Sequence, residues 1–95
     1  MEKLHKLKCW PEYFVEVLIG RKTFEIRKND RDFKQGDILF LQEWNPFIGA
    51  YTGRSITKLA GFIMYSDNKD FGSVADGYCC ISLLPMSGDD DQEVT

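Results

Sequence analysis

The sequence of 95 residues has no long apolar run, and no stretch approaches the roughly 18 consecutive apolar residues of a membrane-spanning helix. Its first residues are too polar for a secretory signal. It contains one histidine and three prolines. We therefore expect a cytoplasmic protein with no membrane partner.

Cysteine is also scarce, and its arrangement suits neither disulfides nor metal. The three cysteines are an odd number, and two of them are adjacent: Cys9, Cys79 and Cys80. This pattern favours small buried thiols in a reducing compartment. With one histidine and no Cys-x-x-Cys pair, we expect no metal site and no cofactor. A cysteine nucleophile with His5 as base is conceivable, although nothing in the sequence places the two together.

The composition is that of one folded domain. Hydrophobic residues make up 43% of the chain and aromatic residues 14%, which excludes general disorder. We predict a single domain over residues 1–86 and an acidic, disordered tail over 87–95. Residues 1–34 carry nine Lys and Arg against six Asp and Glu, although the net charge of the whole chain is −3. Such a basic patch suits contact with one or two phosphates, and it is too small for a long duplex.

Periodicity and turn residues predict five strands and one helix. The strands are expected over 3–9, 22–28, 38–44, 54–66 and 78–84, with a helix over 11–19 and a loop or hairpin tip over 45–53. A bulge or bend is expected at Ala60–Gly61. Short strands with tight turns suggest a small α+β fold, a closed or nearly closed β-barrel of about five strands with one short helix beside it.

Two elements at the start of the chain have interpretable faces. Alternation in the first strand places three residues on one face: His5, Leu7 and Cys9. The helix has an apolar stripe of Phe14, Val17 and Leu18. Trp10 is either a stacking platform or, as we favour, a core aromatic residue that anchors the helix entrance.

The stretch 20–28 organises the chain, because a glycine is followed by a strand with interleaved polar and apolar residues. Phe24 and Ile26 share one face of this strand, while Glu25 and Arg27 share the other with Thr23. An ideal strand places Lys22 on the opposite face from Glu25, so it joins them only by swinging around the strand end. The cluster is either a ligand site or a structural ion pair beside a solvated lysine. A carboxylate next to a guanidinium can read a nucleobase edge.

The same stretch carries a family resemblance. Gly20-x-Lys22-x-x-Glu25-x-Arg27 resembles the signature of the ASCH domain, a small PUA-like β-barrel family linked to RNA. The flanks extend the resemblance to a small uncharacterised branch found in bacteria and their phages, over residues 4–65 and again near 77–84. The flanking segments are His5-x-Leu7-Lys8, Pro11-Glu12-Tyr13-Phe14, Asn29-Asp30-Arg31-Asp32-Phe33 and Gly36-Asp37-Ile38-Leu39.

The resemblance implies a PUA-like barrel with a cleft between barrel and helix. It implies a binding module for single-stranded RNA or a modified nucleotide, with Gly20 as the structural turn. The expected ligand-binding residues are Lys22, Glu25 and Arg27, supported by His5, Lys8 and Arg31, with Trp44 and Tyr51 as rings on which bases stack.

Two other functions stay open. One branch of ASCH-like proteins hydrolyses the amide of N4-acetylcytidine with a lysine, a threonine and a glutamate. Its lysine corresponds to Lys22, but its threonine falls where this chain has Glu25, so an enzyme here would depend on Lys22 and Glu25. The third function is that of an accessory protein that binds a protein partner through its acidic surface. Of the three, the binding module is favoured over the enzyme.

Overall fold

The computed structural model describes residues 3–66 and 74–86. The predicted disordered tail, and residues 67–73 of the predicted irregular connection, lie outside the described residues. The elements in chain order are β1 (Leu4–Cys9), α1 (Pro11–Leu18), β2 (Phe24–Lys28), β3 (Ile38–Asn45), β4 (Ala50–Tyr65) and β5 (Tyr78–Pro85). No helix in the described part of the chain is long and apolar enough to cross a membrane.

The five strands form one curled half-barrel sheet in the order β1-β3-β4-β5-β2, with the short helix packed beside it. β1 is parallel to β3, and the other pairs are antiparallel. This confirms a small α+β domain of five strands and one helix. β1 and β2 are the two edges, and side chains bridge the gap between them: the Arg27 and Arg31 guanidiniums donate to the main-chain oxygens of Lys8 and Lys6.

The core lies on the concave side of the sheet. The predicted alternation of β1 is confirmed, because His5, Leu7 and Cys9 are all buried while the residues between them are exposed. α1 adds Phe14 and Val17 to the core, and burial of such a side chain contributes about 1.5–3 kcal/mol. Leu18, predicted to complete the helical stripe, is instead 47% exposed.

The remaining differences from the predicted elements concern boundaries. The helix ends at Leu18 rather than at 19, and β2 begins at Phe24 rather than at 22. The predicted loop or hairpin tip over 45–53 is the hairpin between β3 and β4, whose last pair is Asn45 and Ala50, and β4 begins at Ala50 rather than at 54. The predicted bulge is confirmed by a register shift between Ala60 and Ile63. Gly61 lies within that shift, where a Cβ atom would stand 2.5 Å from the Ser82 hydroxyl oxygen.

Candidate functional site

A cleft of about 730 Å³ runs along β2 and reaches the junction between β1 and α1. We call it the β2 cleft. It brings together residues from β1, α1, β2 and β5 and from the turn before β2. Its lining residues are Lys8, Cys9, Trp10, Tyr13, Lys22, Phe24, Glu25, Ile26, Arg27, Lys28 and Tyr78.

The turn after α1 explains how Lys22 enters this cleft. Gly20 has a φ of +87°, a left-handed conformation that strongly favours glycine. The amide of Gly20 donates to Val17 O at 3.1 Å, and that of Arg21 donates to Glu16 O at 3.0 Å, which is the bonding pattern of a Schellman cap. Because Lys22 belongs to this turn rather than to β2, strand alternation does not govern its direction.

Glu25 is the centre of an ion cluster at the base of the cleft. Its side chain is only 7% exposed. The Lys22 ammonium donates to one carboxylate oxygen at 2.9 Å, and the Arg27 Nε donates to the other at 2.7 Å. Lys22 and Arg27 therefore share the cleft with Glu25. The carboxylate fixes the direction of both cations. Lys22 also donates to Phe24 O and Arg27 to Lys8 O, and after these hydrogen bonds each cation still has N–H groups to offer a ligand.

β2 turns its polar face inward. Glu25 is buried, whereas Phe24 is 43% and Ile26 53% exposed, so the apolar pair faces outward along the cleft. The two cations make this burial possible, because a buried carboxylate needs paired charges and hydrogen bonds to offset its lost hydration.

Four aromatic rings wall the cleft, and the sequence pointed to only one of them, Trp10, as the less favoured stacking platform. Trp10, Tyr13, Phe24 and Tyr78 are each between 40% and 51% exposed. The favoured prediction for Trp10, a core residue at the helix entrance, is therefore wrong, because the side chain is half-exposed. With Lys8 and Lys28, the cleft holds four cationic side chains and one carboxylate, which favours an anionic ligand with a flat ring.

Cys9 also lines the cleft, but as an unreactive thiol. Burial, followed by the charge of nearby Glu25, raises its pKa to about 11. At neutral pH the sulfur is protonated, and the thiolate is the nucleophilic form. His5 lies four residues away on the same strand, roughly 13 Å along it, so the two do not form a catalytic pair.

Of the five residues expected to support ligand binding, only Lys8 lies in the cleft. Lys8 lines the cleft, with its ammonium 3.8 Å from the centroid of the Trp44 ring. Trp44 and Tyr51 pack edge to face at 4.9 Å and are not among the cleft residues. Arg31 is outside the cleft too, where it donates to Lys6 O at 2.7 Å across the gap between the edge strands.

His5 is a core residue, which corrects its expected place beside the ligand. Its Nε2 lies 2.8 Å from an Asp37 carboxylate oxygen, and its ring packs at 4.6 Å on Phe33. The main-chain amides of Lys3 and Lys34 also donate to Asp37. Position on the inward face of β1 was the signal in the sequence that His5 is buried.

A second buried carboxylate, Glu43, is not among the residues predicted to bind a ligand. Arg54 donates to both of its oxygens at 2.8 and 2.9 Å, and the Thr52 hydroxyl donates at 2.6 Å. The Arg54 guanidinium lies 5.1 Å from the centroid of the Phe14 ring. This cluster therefore links β3, β4 and α1.

Glu43 is expected to make stability depend on pH. The hydrogen bonds from Arg54 and Thr52 hold its pKa at about 2. Because this lies below the unfolded value of about 4.3, the stabilisation is complete above that value and is lost as the pH falls toward 2. Glu43→Gln should lower the free energy of unfolding at pH 7 by about 2 kcal/mol, discounted because Arg54 is half-exposed. Urea denaturation at pH 7, 4 and 2.5 measures this.

The difference between Glu43→Gln and wild type should shrink at each step toward pH 2.5. Asp30→Asn, a change at an exposed carboxylate, is the control and should follow the wild-type profile. A penalty for Glu43→Gln that is the same at all three pH values would contradict the assignment.

Fold and site together define a small half-barrel domain with a basic, aromatic-walled cleft at the edge of its sheet. Within residues 3–66 and 74–86, no group of three or more His, Cys, Asp or Glu side chains is placed to hold a metal ion. The chain belongs to a family described as a domain of unknown function (DUF3850), whose profile matches residues 4–83.

The chain is also similar to a phage protein. It is 45% identical over 56 residues to the "Uncharacterized 12.9 kDa protein in GpA 3'region" of Escherichia phage P2. The match covers 59% of this chain and 50% of the relative, so the chain spans about half the length of the curated relative that it matches.

Proposed function

We propose that this protein is a cytoplasmic ASCH-like domain of the PUA-like type, which binds single-stranded RNA or a nucleotide in the β2 cleft. The observation that carries the proposal is the buried Glu25 carboxylate, which directs Lys22 and Arg27 into a cleft walled by aromatic rings. The three charged residues of the Gly-x-Lys-x-x-Glu-x-Arg signature all line this cleft, and its glycine forms the turn that leads into it.

The chemistry of the cleft supports an anionic ligand with a ring. Lys22 and Arg27 have N–H donors to offer a phosphate or a base carbonyl, while Glu25 serves mainly to hold them. Lys8 and Lys28 add positive charge at the same opening. The half-exposed rings give bases a surface on which to stack, as in proteins that read single strands.

Titration with nucleotides and RNA tests the proposal. Heteronuclear NMR and thermal shift are measured with the four ribonucleoside monophosphates at millimolar concentration and with a short single-stranded RNA at tens of micromolar. Binding to the native state raises the melting temperature. Chemical shift changes should concentrate at residues 8–13 and 22–28. A flat response to every ligand would overturn the proposal, and turnover of N4-acetylcytidine would show the hydrolase instead.

Trp10→Ala should weaken nucleotide binding without unfolding the domain. The ring is 48% exposed, and stacking of a base on such a ring contributes about 1–3 kcal/mol, which corresponds to a loss of affinity of roughly 5- to 150-fold. Isothermal titration calorimetry of the variant measures this.

The matched control for Trp10→Ala is Phe62→Ala, since Phe62 is 67% exposed on β4 and does not line the cleft. It should bind as wild type does. Equal affinities for the two variants would remove Trp10 from the site.

A further inference from the structure

The main chain of β2 has a free edge. Among the described strands β2 pairs only with β5, and hydrogen-bonded and non-hydrogen-bonded pairs alternate along an antiparallel ladder. The Leu83 amide donates to Thr23 O, and the Asn29 amide donates to Gly77 O. The odd-numbered residues of this stretch therefore bond to β5. The N–H and C=O groups of Phe24, Ile26 and Lys28 point away from it.

This free edge opens on the β2 cleft, because Phe24, Ile26 and Lys28 all line it. The carbonyl of Phe24 already accepts a hydrogen bond from the Lys22 ammonium at 2.7 Å. Ile26 is the central residue of the edge, and its N–H and C=O stand side by side on it. An unpaired strand edge of this kind is a template for a ligand with matching groups.

The surroundings of the edge select the ligand. A strand edge by itself suits an extended peptide, but here half-exposed rings and four cationic side chains surround it. A flat ring with an adjacent donor and acceptor, attached to a phosphate, fits all three features. Each nucleobase has such a donor–acceptor pair on its Watson–Crick edge, which is free only when the base is unpaired.

We propose that the main-chain N–H and C=O of Ile26 read the Watson–Crick edge of an unpaired nucleobase held in the β2 cleft, an inference that rests on the proposed function. The N–H donates to the acceptor of the base, and the C=O accepts from its donor. Because all four bases offer this pair, the site tolerates different bases and excludes duplexes.

The first test compares UMP with N3-methyl-UMP on the wild-type protein by calorimetry. Methylation removes the donor of the base edge and leaves the ring and the phosphate in place. We expect at least a tenfold loss of affinity. Equal affinities would overturn the proposal that the Ile26 main chain binds the base edge, while leaving the proposed function intact. Failure of both nucleotides and of single-stranded RNA would instead remove the proposed function.

The second test changes the protein. Ile26→Pro removes an N–H group that lies outside the ladder, and proline is tolerated on edge strands. Ile26→Ala trims the side chain and keeps the N–H, so it is the matched control. Ile26→Pro should bind UMP about tenfold more weakly than Ile26→Ala does, with both variants melting cooperatively. If Ile26→Pro does not fold, the methylated nucleotide still decides. Binding of hexaglutamate without either nucleotide would assign the edge to an acidic peptide and overturn the proposal.

Discussion

Glu25→Ala is expected to lower the free energy of unfolding by about 2–3 kcal/mol and to abolish nucleotide binding in the β2 cleft. The carboxylate is 7% exposed and accepts from both Lys22 and Arg27. Without it, two partly buried cations face each other with no counter-charge, and neither keeps its direction into the cleft. Urea denaturation gives the stability, and the UMP titration gives the binding.

The control for Glu25→Ala is a second glutamate with an equally short ion pair. Arg21 donates to both oxygens of Glu16 at 2.7 Å, but that pair is exposed on the helix. Because solvent screens exposed pairs, Glu16→Ala should leave the denaturation midpoint and UMP affinity unchanged. Equal stability of the two variants would show that burial of Glu25 adds nothing, and retained UMP binding by Glu25→Ala would remove it from the site.

Alternation along a strand told us which residues share a face, but not which face is inside. In β1 the more apolar face, with Leu7 and Cys9, is also the buried one. For β2 the apolar face is the exposed one. In β2 the charged residue is buried and the apolar residues are exposed, because Lys22 from the turn and Arg27 from the strand neutralise Glu25. The sequence alone does not show this neutralisation.

The aromatic walls were missed for a related reason. Trp10 precedes the short helix α1 and Tyr13 lies in its first turn, whereas Tyr78 begins a strand that is distant in sequence. Only the sheet order, which places β5 beside β2 and leaves the β1 edge opposite, brings these rings to one cleft. The signature residues were found because they are local in sequence, whereas the rings depend on long-range pairing.

Arg27 connects the cleft to the open side of the half-barrel. Its Nε donates to Glu25, and its guanidinium also donates to Lys8 O on the opposite edge strand. Arg31 makes a similar bridge to Lys6 O. The two edges of the sheet are thus held by side chains rather than by a strand ladder, and this arrangement leaves the β2 main chain accessible from the cleft.

Asp37→Asn is expected to lower the free energy of unfolding by about 2–4 kcal/mol, although the residue lies outside the cleft. Asp37 is 1% exposed, and its two oxygens accept from the Lys3 amide at 3.1 Å, the Lys34 amide at 3.0 Å and His5 at 2.8 Å. Asparagine has one carbonyl oxygen for these donors, and its amide N–H groups face one of them. Urea denaturation at pH 7 measures the loss.

The matched control is Asp32→Asn, because Asp32 pairs with Lys34 at 3.1 Å but is 67% exposed and has a φ of 54°, which asparagine tolerates. Asp32→Asn should denature as wild type does.

The pKa of Asp37 makes this prediction depend on pH. Burial raises that pKa, but the hydrogen bonds from His5 and the two amides lower it by more, so the pKa of Asp37 lies below its usual range. Its stabilisation is therefore complete above about pH 3.9 and lost in stronger acid, where the penalty of Asp37→Asn should shrink. An Asp37→Asn variant as stable as Asp32→Asn at pH 7 would show that the His5–Asp37 pair does not hold β1 to the start of β3.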